Sequence, residues 1–144
     1  MVSIIGFLKE NRYKKWTLLA YLYSLEFRFK ILTVKPDKLK QEWGIRGEES
    51  SWEEEKQNYY IARGVSRVVN RICNKTKWES KCLVRALTAQ RLLKQKNIHS
   101  TMYLGCGTDE NGKMVAHAWL RVGSMFVTGG DGSKKYATVD KFMV

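Results

Sequence analysis

The hydrophobic periodicity of this chain changes once, and the change restricts the class of fold that the chain can adopt. Up to about residue 95, apolar side chains recur at intervals of three and four, which is typical of amphipathic helices. From Ser100 onward they alternate, and the pairs Asn111-Gly112 and Gly123-Ser124 separate the alternating segments. Because strands joined by tight turns pair antiparallel, the sequence predicts an α+β fold with helices first and an antiparallel meander after them.

Three helices are predicted before the change. The first runs from about Asn11 to Ile31 and the second from about Trp52 to Cys73. The third follows Ser80, a suitable N-cap residue, and runs to about Gln95. The first helix is apolar on all sides, so it is either buried or presents a surface to a partner protein or a membrane.

Four strands are predicted after the change. A hairpin loop over residues 108–113 separates the first two. The predicted strands are Ser100–Gly105, Met114–Val122, one that begins with Met125–Thr128, and Ala137–Met143.

The chain of 144 residues is long enough to bury a core without disulfides. Residues 37–50 look like a connection, so we divide the chain into a helical amino-terminal extension, residues 1–50, and a core, residues 51–144. Three cysteines do not make a disulfide framework and fit a reducing, cytoplasmic setting. We expect neither a signal peptide nor a transmembrane helix, because the longest apolar stretch, Trp16–Leu25, is about half of what a bilayer requires.

The net charge of +12 is unevenly distributed. Basic residues dominate residues 63–96, where Arg63, Arg67 and Arg71 recur every four positions, whereas residues 48–55 are acidic. Such asymmetry indicates an acidic partner, which would be nucleic acid, anionic lipid or an acidic peptide. The alternative is an ordinary solvated helix face, and charge alone does not choose between these readings.

Cys82 is the first candidate for chemistry, because it lies at the start of the third predicted helix. Unpaired amides and the positive end of the helix dipole meet there, and Lys81 and Arg85 add positive charge. These surroundings favour a reactive thiolate, and the same amides can stabilise an oxyanion. The alternative is a buried structural cysteine, which is the commoner role of a free cysteine.

A thiolate nucleophile needs a base, and the chain has two histidines. His99 lies at a helix-to-strand junction and is interpreted as a surface residue. His117 lies in a strand and shares a face with Trp119, which would shield its ring. Cys82, Cys106 and His117 lack the close spacing typical of metal ligands, and no phosphate-binding glycine loop is present, so we expect no metal and no cofactor in the chemical step.

Two motifs together resemble a known family. The segment with Trp78, Lys81, Cys82, Leu83 and Arg85, followed by His117, Ala118 and Trp119, resembles the transglutaminase-like cysteine peptidases. More narrowly, it resembles the leader peptidase of lasso-peptide biosynthesis, over about residues 52–130.

The resemblance implies a transglutaminase-like core with a papain-like triad, in which Cys82 attacks the scissile carbonyl and His117 is the base. The third member is expected on the following strand, where this chain has Gly129 and Gly130 instead of a carboxylate. Asp131 is the nearest carboxylate, and Thr128 is a weaker alternative for orienting the imidazole. A base can also be oriented by a backbone carbonyl.

The resemblance also implies partners. They are a precursor peptide with its leader, a separate small leader-recognition protein, and an ATP-dependent macrolactam cyclase. Any ATP dependence would belong to the assembled system, since the chain has no nucleotide motif. Two alternatives stay open, namely a related acyl transferase or amidase of the same fold and a non-catalytic basic module that binds peptide or nucleic acid.

Overall fold

The computed structural model describes residues 12–76 and 81–144, with side chains from residue 15 onward. Four helices, a 3₁₀ turn and five strands occur in this part of the chain. In chain order they are α1 (Arg12–Thr33), α2 (Pro36–Lys40), β1 (Ile45–Arg46), α3 (Lys56–Cys73), α4 (Cys82–Gln95), β2 (Thr101–Thr108), β3 (Met114–Val122), β4 (Met125–Thr128), the 3₁₀ turn (Gly132–Lys134) and β5 (Ala137–Met143).

The five strands form one antiparallel sheet with the order β1-β5-β2-β3-β4. In the central pair, Gly105 of β2 lies opposite His117 of β3. The loop between these strands is closed by Asp109, whose carboxylate accepts hydrogen bonds from the backbone amides of Asn111 and Lys113. Gly112 adopts a positive φ of 77° there, as the predicted Asn-Gly turn requires.

The helices cover one face of this sheet. Helix α4 packs on β3 and β4, α3 packs on α4 and β4, and α1 packs across both helices. Strand residues that join the same core include Met102, Ala118, Leu120 and Phe142. Because side chains alternate along a strand, the residues between them point to the opposite face.

The opposite face has its own buried centre at Arg121, which is fully buried. The guanidinium donates hydrogen bonds to the carbonyls of Ser50, Ser51 and Gly123 and to the hydroxyl of Tyr103. It therefore fastens the segment that precedes α3 to the face of the sheet that the helices leave uncovered.

The α+β prediction is confirmed, with helices and one antiparallel sheet. The predicted meander holds for β2, β3 and β4 but is wrong for β5, which returns to pair with β2 instead of β4. The predicted bounds of Met114–Val122, Met125–Thr128 and Ala137–Met143 agree with β3, β4 and β5. Strand β2 is longer than expected and extends to Thr108. Helix α3 begins later than expected, at Lys56, since Glu55 is its N-cap.

Two further differences concern residues 37–50 and the start of α4. The predicted connection contains the end of α2 and strand β1, which pairs with β5; the division into residues 1–50 and 51–144 stays a prediction. Ser80, the predicted cap, lies outside the described residues, and the N-cap of α4 is Lys81. Cys82 is therefore the first helical residue, one position earlier in the helix than a cap at Ser80 predicts. No helix in the described ranges has both the length and the apolar character needed to cross a bilayer.

Candidate active site

Cys82 occupies the first position of α4, with its thiol free and half-buried against the edge of the core. The first intrahelical bond is donated by the Arg85 amide to the Lys81 carbonyl. The amides of Cys82, Leu83 and Val84 thus precede the helical hydrogen-bond ladder, and their dipoles point towards the start of the helix. This arrangement favours negative charge at the Cys82 sulfur and at an oxygen bound beside it.

Arg85 fixes this end of α4 to the end of α3. Its guanidinium donates to the side-chain oxygens of Asn70, at 3.3 Å, and of Asn74, at 2.5 Å. The first turn of the cysteine-bearing helix is therefore held by a second helix, which limits the positions that Cys82 can take.

His117 lies in the first half of β3, and its ring is held on two sides. Nε2 lies 3.0 Å from the carbonyl oxygen of Gly129, and the ring stacks on Tyr136 with 4.8 Å between centroids. A carbonyl can only accept, so Nε2 carries the proton, and in the neutral ring the lone pair is then on Nδ1. The side chain is thus set up as a base through Nδ1.

The structure places Cys82 and His117 at the same end of the domain but not in hydrogen-bond contact. Residues 96–100 turn the chain from α4 back into β2, so the start of α4 lies towards the end of β2 and the start of β3. His117 alternates with Ala118, which faces the helices, and therefore belongs to the opposite face of the sheet. Among the described residues, no hydrogen bond joins the Cys82 sulfur to the imidazole.

The edge of the sheet beside His117 lies on the side of β4. Strand β4 pairs with residues 120–122 of β3, and no described strand continues this pairing along residues 114–119. Helix α4 packs on the same two strands. The strand pairing therefore leaves this short edge as a route by which Cys82 and the Nδ1 atom of His117 can approach each other.

Gly129 explains why a carboxylate is missing at the expected third position. Its φ is 76°, and a Cβ atom there would lie 2.5 Å from the Ala118 oxygen and 2.7 Å from Trp119 Cβ. No residue with a side chain fits this position without displacing backbone, so the chain brings a carbonyl to the imidazole instead.

The other predicted site residues are placed as follows. The Asp131 carboxylate accepts from Ser133 and lies 3.6 Å from the Lys134 ammonium group, and no described hydrogen bond links it to His117. The Thr128 hydroxyl is buried without a hydrogen-bond partner in the described ranges. Within those ranges, no group of three or more His, Cys, Asp or Glu side chains has metal-binding geometry.

Sequence reasoning missed the Gly129 carbonyl and Tyr136. The carbonyl has no signature of its own, although the Gly129-Gly130 pair marks an unusual backbone. Tyr136 reaches His117 because Gly105 and Gly107 leave room, and Cβ atoms at either glycine would lie 2.9 Å from its side chain. The proximity of Tyr136 to His117 follows from the pairing of β2 with both β3 and β5, which the sequence does not specify.

An aromatic cavity of about 190 Å³ lies on the same face as His117. The cavity-lining side chains are Glu49, Trp52, Tyr103, Trp119, Phe126, Ser133 and Thr138. Burial raises the pKa of the Tyr103 hydroxyl, which donates to Glu49 and accepts from Arg121. The cavity has the size of a large amino-acid side chain and adjoins the imidazole through Trp119, whose ring centroid is 6.0 Å from that of His117.

Comparison with protein families gives one match. The model of the transglutaminase-like superfamily matches residues 27–141, which is most of the chain and includes Cys82, His117 and Gly129. No curated protein and no solved structure matches the chain significantly.

Proposed function

The chain belongs to the transglutaminase-like superfamily, and we propose from this premise that it is a cysteine peptidase which removes the leader of a ribosomally synthesised precursor during lasso-peptide maturation. The fold of this superfamily is typical of cysteine peptidases and acyltransferases. The observation that carries the proposal is the position of Cys82 at the unpaired amides of α4, at the end of the domain where His117 presents Nδ1.

The chemistry is hydrolysis of one peptide bond in two steps. Nδ1 of His117 takes the thiol proton, and the Cys82 sulfur attacks the scissile carbonyl. The oxyanion is stabilised by amides at the start of α4, and the imidazolium returns the proton to the leaving amine. Water, activated by the same imidazole, then hydrolyses the thioester and releases the second product.

The two side chains meet in this mechanism around the open edge of β3. Substrate binding along residues 114–117, on the side of β3 where no described strand pairs with them, would bring a scissile carbonyl between them. Because the Gly129 carbonyl accepts from Nε2, Nδ1 is the ring atom that takes up the proton and later returns it.

The third role is assigned to the Gly129 carbonyl and not to Asp131. The carboxylate of Asp131 is already engaged by Ser133 and Lys134. Asp131→Ala should therefore leave the rate of cleavage unchanged. A loss of more than about tenfold, or about 1.4 kcal/mol in the activation free energy, would return the role to the carboxylate.

The proposed partners come from the resemblance. They are the precursor peptide, a separate leader-recognition protein and an ATP-dependent macrolactam cyclase, and nucleic acid is not among them. ATP is needed by the assembled system and not by the chemical step. The basic face of α3, with Arg63, Arg67 and Arg71 exposed, suits an acidic leader or recognition protein.

Mass spectrometry tests the proposal directly. Candidate precursor and recognition protein are incubated with the wild-type chain, with Cys82→Ala and with the control Cys106→Ala. We expect the wild type and the Cys106 variant to release the leader and the Cys82 variant to release none. Cleavage that survives Cys82→Ala would refute a cysteine mechanism.

Alkylation separates this proposal from its two alternatives. Cys82 should react with iodoacetamide below about pH 8, and His117→Ala should slow that reaction. Equally slow alkylation of all three cysteines would favour a non-catalytic basic module, whose nucleic-acid affinity would fall steeply with salt. Transfer of the acyl group to an added amine in preference to water would identify an acyl transferase.

A further inference from the structure

Helix α1 carries an apolar row on the side that faces away from the core. Trp16, Ala20 and Phe27 are buried on its inner side. The outer row, which we call the seam, has exposed fractions from 43% to 66%. Its members are Leu18, Leu22, Leu25, Phe29 and Leu32.

The spacing of the seam indicates the shape of what covers it. Its members follow one another at intervals of four, three, four and three, which is a heptad a/d pattern over the length of the helix. Such a narrow row matches the coiled-coil geometry between two helices, whereas a helix that lies in a membrane surface presents a wider apolar face. The shape therefore favours a partner helix.

The charge of α1 indicates the chemistry of that helix. The sequence of α1 has five basic residues and one acid, and within the chain Glu26 is paired with Arg91 of α4 and Lys30 with Glu42. A second copy of the chain would bring the same positive helix against the seam, within a protein whose net charge is +12. An acidic partner would be attracted to the positive charge of α1, whereas a second copy would be repelled by it.

We propose that the seam docks an amphipathic helix with acidic flanks, supplied by a partner protein. Leucine-like side chains at its a and d positions would pack between those of the seam, and its Glu or Asp residues would lie near Lys15 and Arg28, which the helical repeat places next to the seam. This docking is independent of Cys82 and of the proposed hydrolysis, because the seam and the start of α4 are formed by different elements.

A designed peptide tests the proposal. The probe is a synthetic helix of about four heptads with Leu at a and d and Glu at e and g, whose like charges keep it from pairing with itself. A matched peptide has Lys in place of every Glu. Binding of each peptide to the full chain is measured by fluorescence anisotropy at physiological salt.

Two double variants give the matched comparison. Leu22→Glu with Phe29→Glu places charge in the seam, whereas Ile45→Glu with Val139→Glu places the same charge on strand residues that are 59% and 63% exposed. We expect the acidic peptide to bind the wild type and the control, and the seam variant to lose more than about tenfold in affinity. Circular dichroism and the rate of Cys82 alkylation should not change in either variant.

Three outcomes would overturn the proposal. One is the absence of a preference for acidic charge, seen either as equal binding of the Lys peptide or as no binding of the acidic peptide. Another is a dimer in light scattering that the seam variant dissociates, which would make a second copy the occupant. The third is sedimentation with phosphatidylserine vesicles that the seam variant abolishes, which would make the occupant a membrane.

Discussion

Replacing Arg121 by methionine should destabilise the fold by about 4 kcal/mol. The guanidinium is fully buried and donates to the carbonyls of Ser50 and Gly123 at 2.9 and 2.6 Å, and its plane lies over Trp52 with 3.7 Å to the ring centroid. Methionine keeps most of the volume but leaves both buried carbonyls without a donor, at roughly 1–3 kcal/mol each. Loss of the stacking contact adds roughly 1 kcal/mol.

Urea denaturation followed by tryptophan fluorescence and by circular dichroism measures this loss. Arg67→Met, on the exposed face of α3, is the control and should change stability by less than about 0.5 kcal/mol. Arg121→Lys should lie between them, because an ammonium group can meet only some of these acceptors. If Arg121→Met cost less than about 1 kcal/mol, the carbonyls would have found water and the view of Arg121 as the fastener of residues 50–52 would be wrong.

Three further substitutions test single features of the site. Gly129→Ala should cost more than about 3 kcal/mol and Gly130→Ala only about 1–2 kcal/mol, measured by urea denaturation, because both have positive φ but only Gly129 lacks room for a Cβ atom. Thr128→Val should leave stability unchanged or raise it by up to about 1 kcal/mol in a thermal melt, because the hydroxyl has no hydrogen-bond partner in the described ranges. Lower activity in this variant would contradict the assignment of the orienting role to Gly129 and would return that role to the Thr128 hydroxyl. Burial raises the pKa of the Tyr103 hydroxyl above its unfolded value of about 10. The neutral hydroxyl therefore contributes in full to the free energy of unfolding below that pH, and this contribution is lost as the pH rises through the folded pKa. Tyr103→Phe should reduce the fall in Tm at alkaline pH, measured in melts taken at increasing pH.

The sheet was predictable because its signals are local. Alternation and glycine-containing turns fixed the bounds of β3, β4 and β5, and a tight turn at Gly123 left little freedom in how β3 and β4 pair. The pairing of β5 with β2 has no such local signal, because the two strands are distant in sequence. Strand β1 was not predictable in the same way. It has two residues, and it is a strand only because β5 lies beside it.

Helix α1 shows where periodicity stops being informative. A helix that is apolar on every side does not reveal from its sequence which side is buried. The structure resolves this through α3 and α4, which bury Trp16, Ala20 and Phe27 and leave Leu22 and Phe29 in solvent. The burial reading thus holds for one side of the helix, and docking stays a proposal for the other side.

The site was predictable in its residue types and not in its connections. Strand alternation correctly paired His117 with Trp119, but which face the helices cover is a property of the whole fold and placed His117 on the other side. The carboxylate that the resemblance implies would need a side chain at position 129, and the backbone there leaves no room for one. A carbonyl at this point has a consequence for the chemistry. The Gly129 carbonyl fixes the tautomer of the imidazole but carries no full negative charge. In the proposed mechanism, the pair of Cys82 thiolate and His117 imidazolium therefore has to be stabilised by groups around the sulfur. There, α4 presents its unpaired amides at Cys82, and Arg85 clamps that turn to α3 through Asn70 and Asn74. In the proposed mechanism, preorganisation therefore depends on the start of α4, and the position at which the resemblance implies a carboxylate holds a glycine, which lets its loop pack against Trp119.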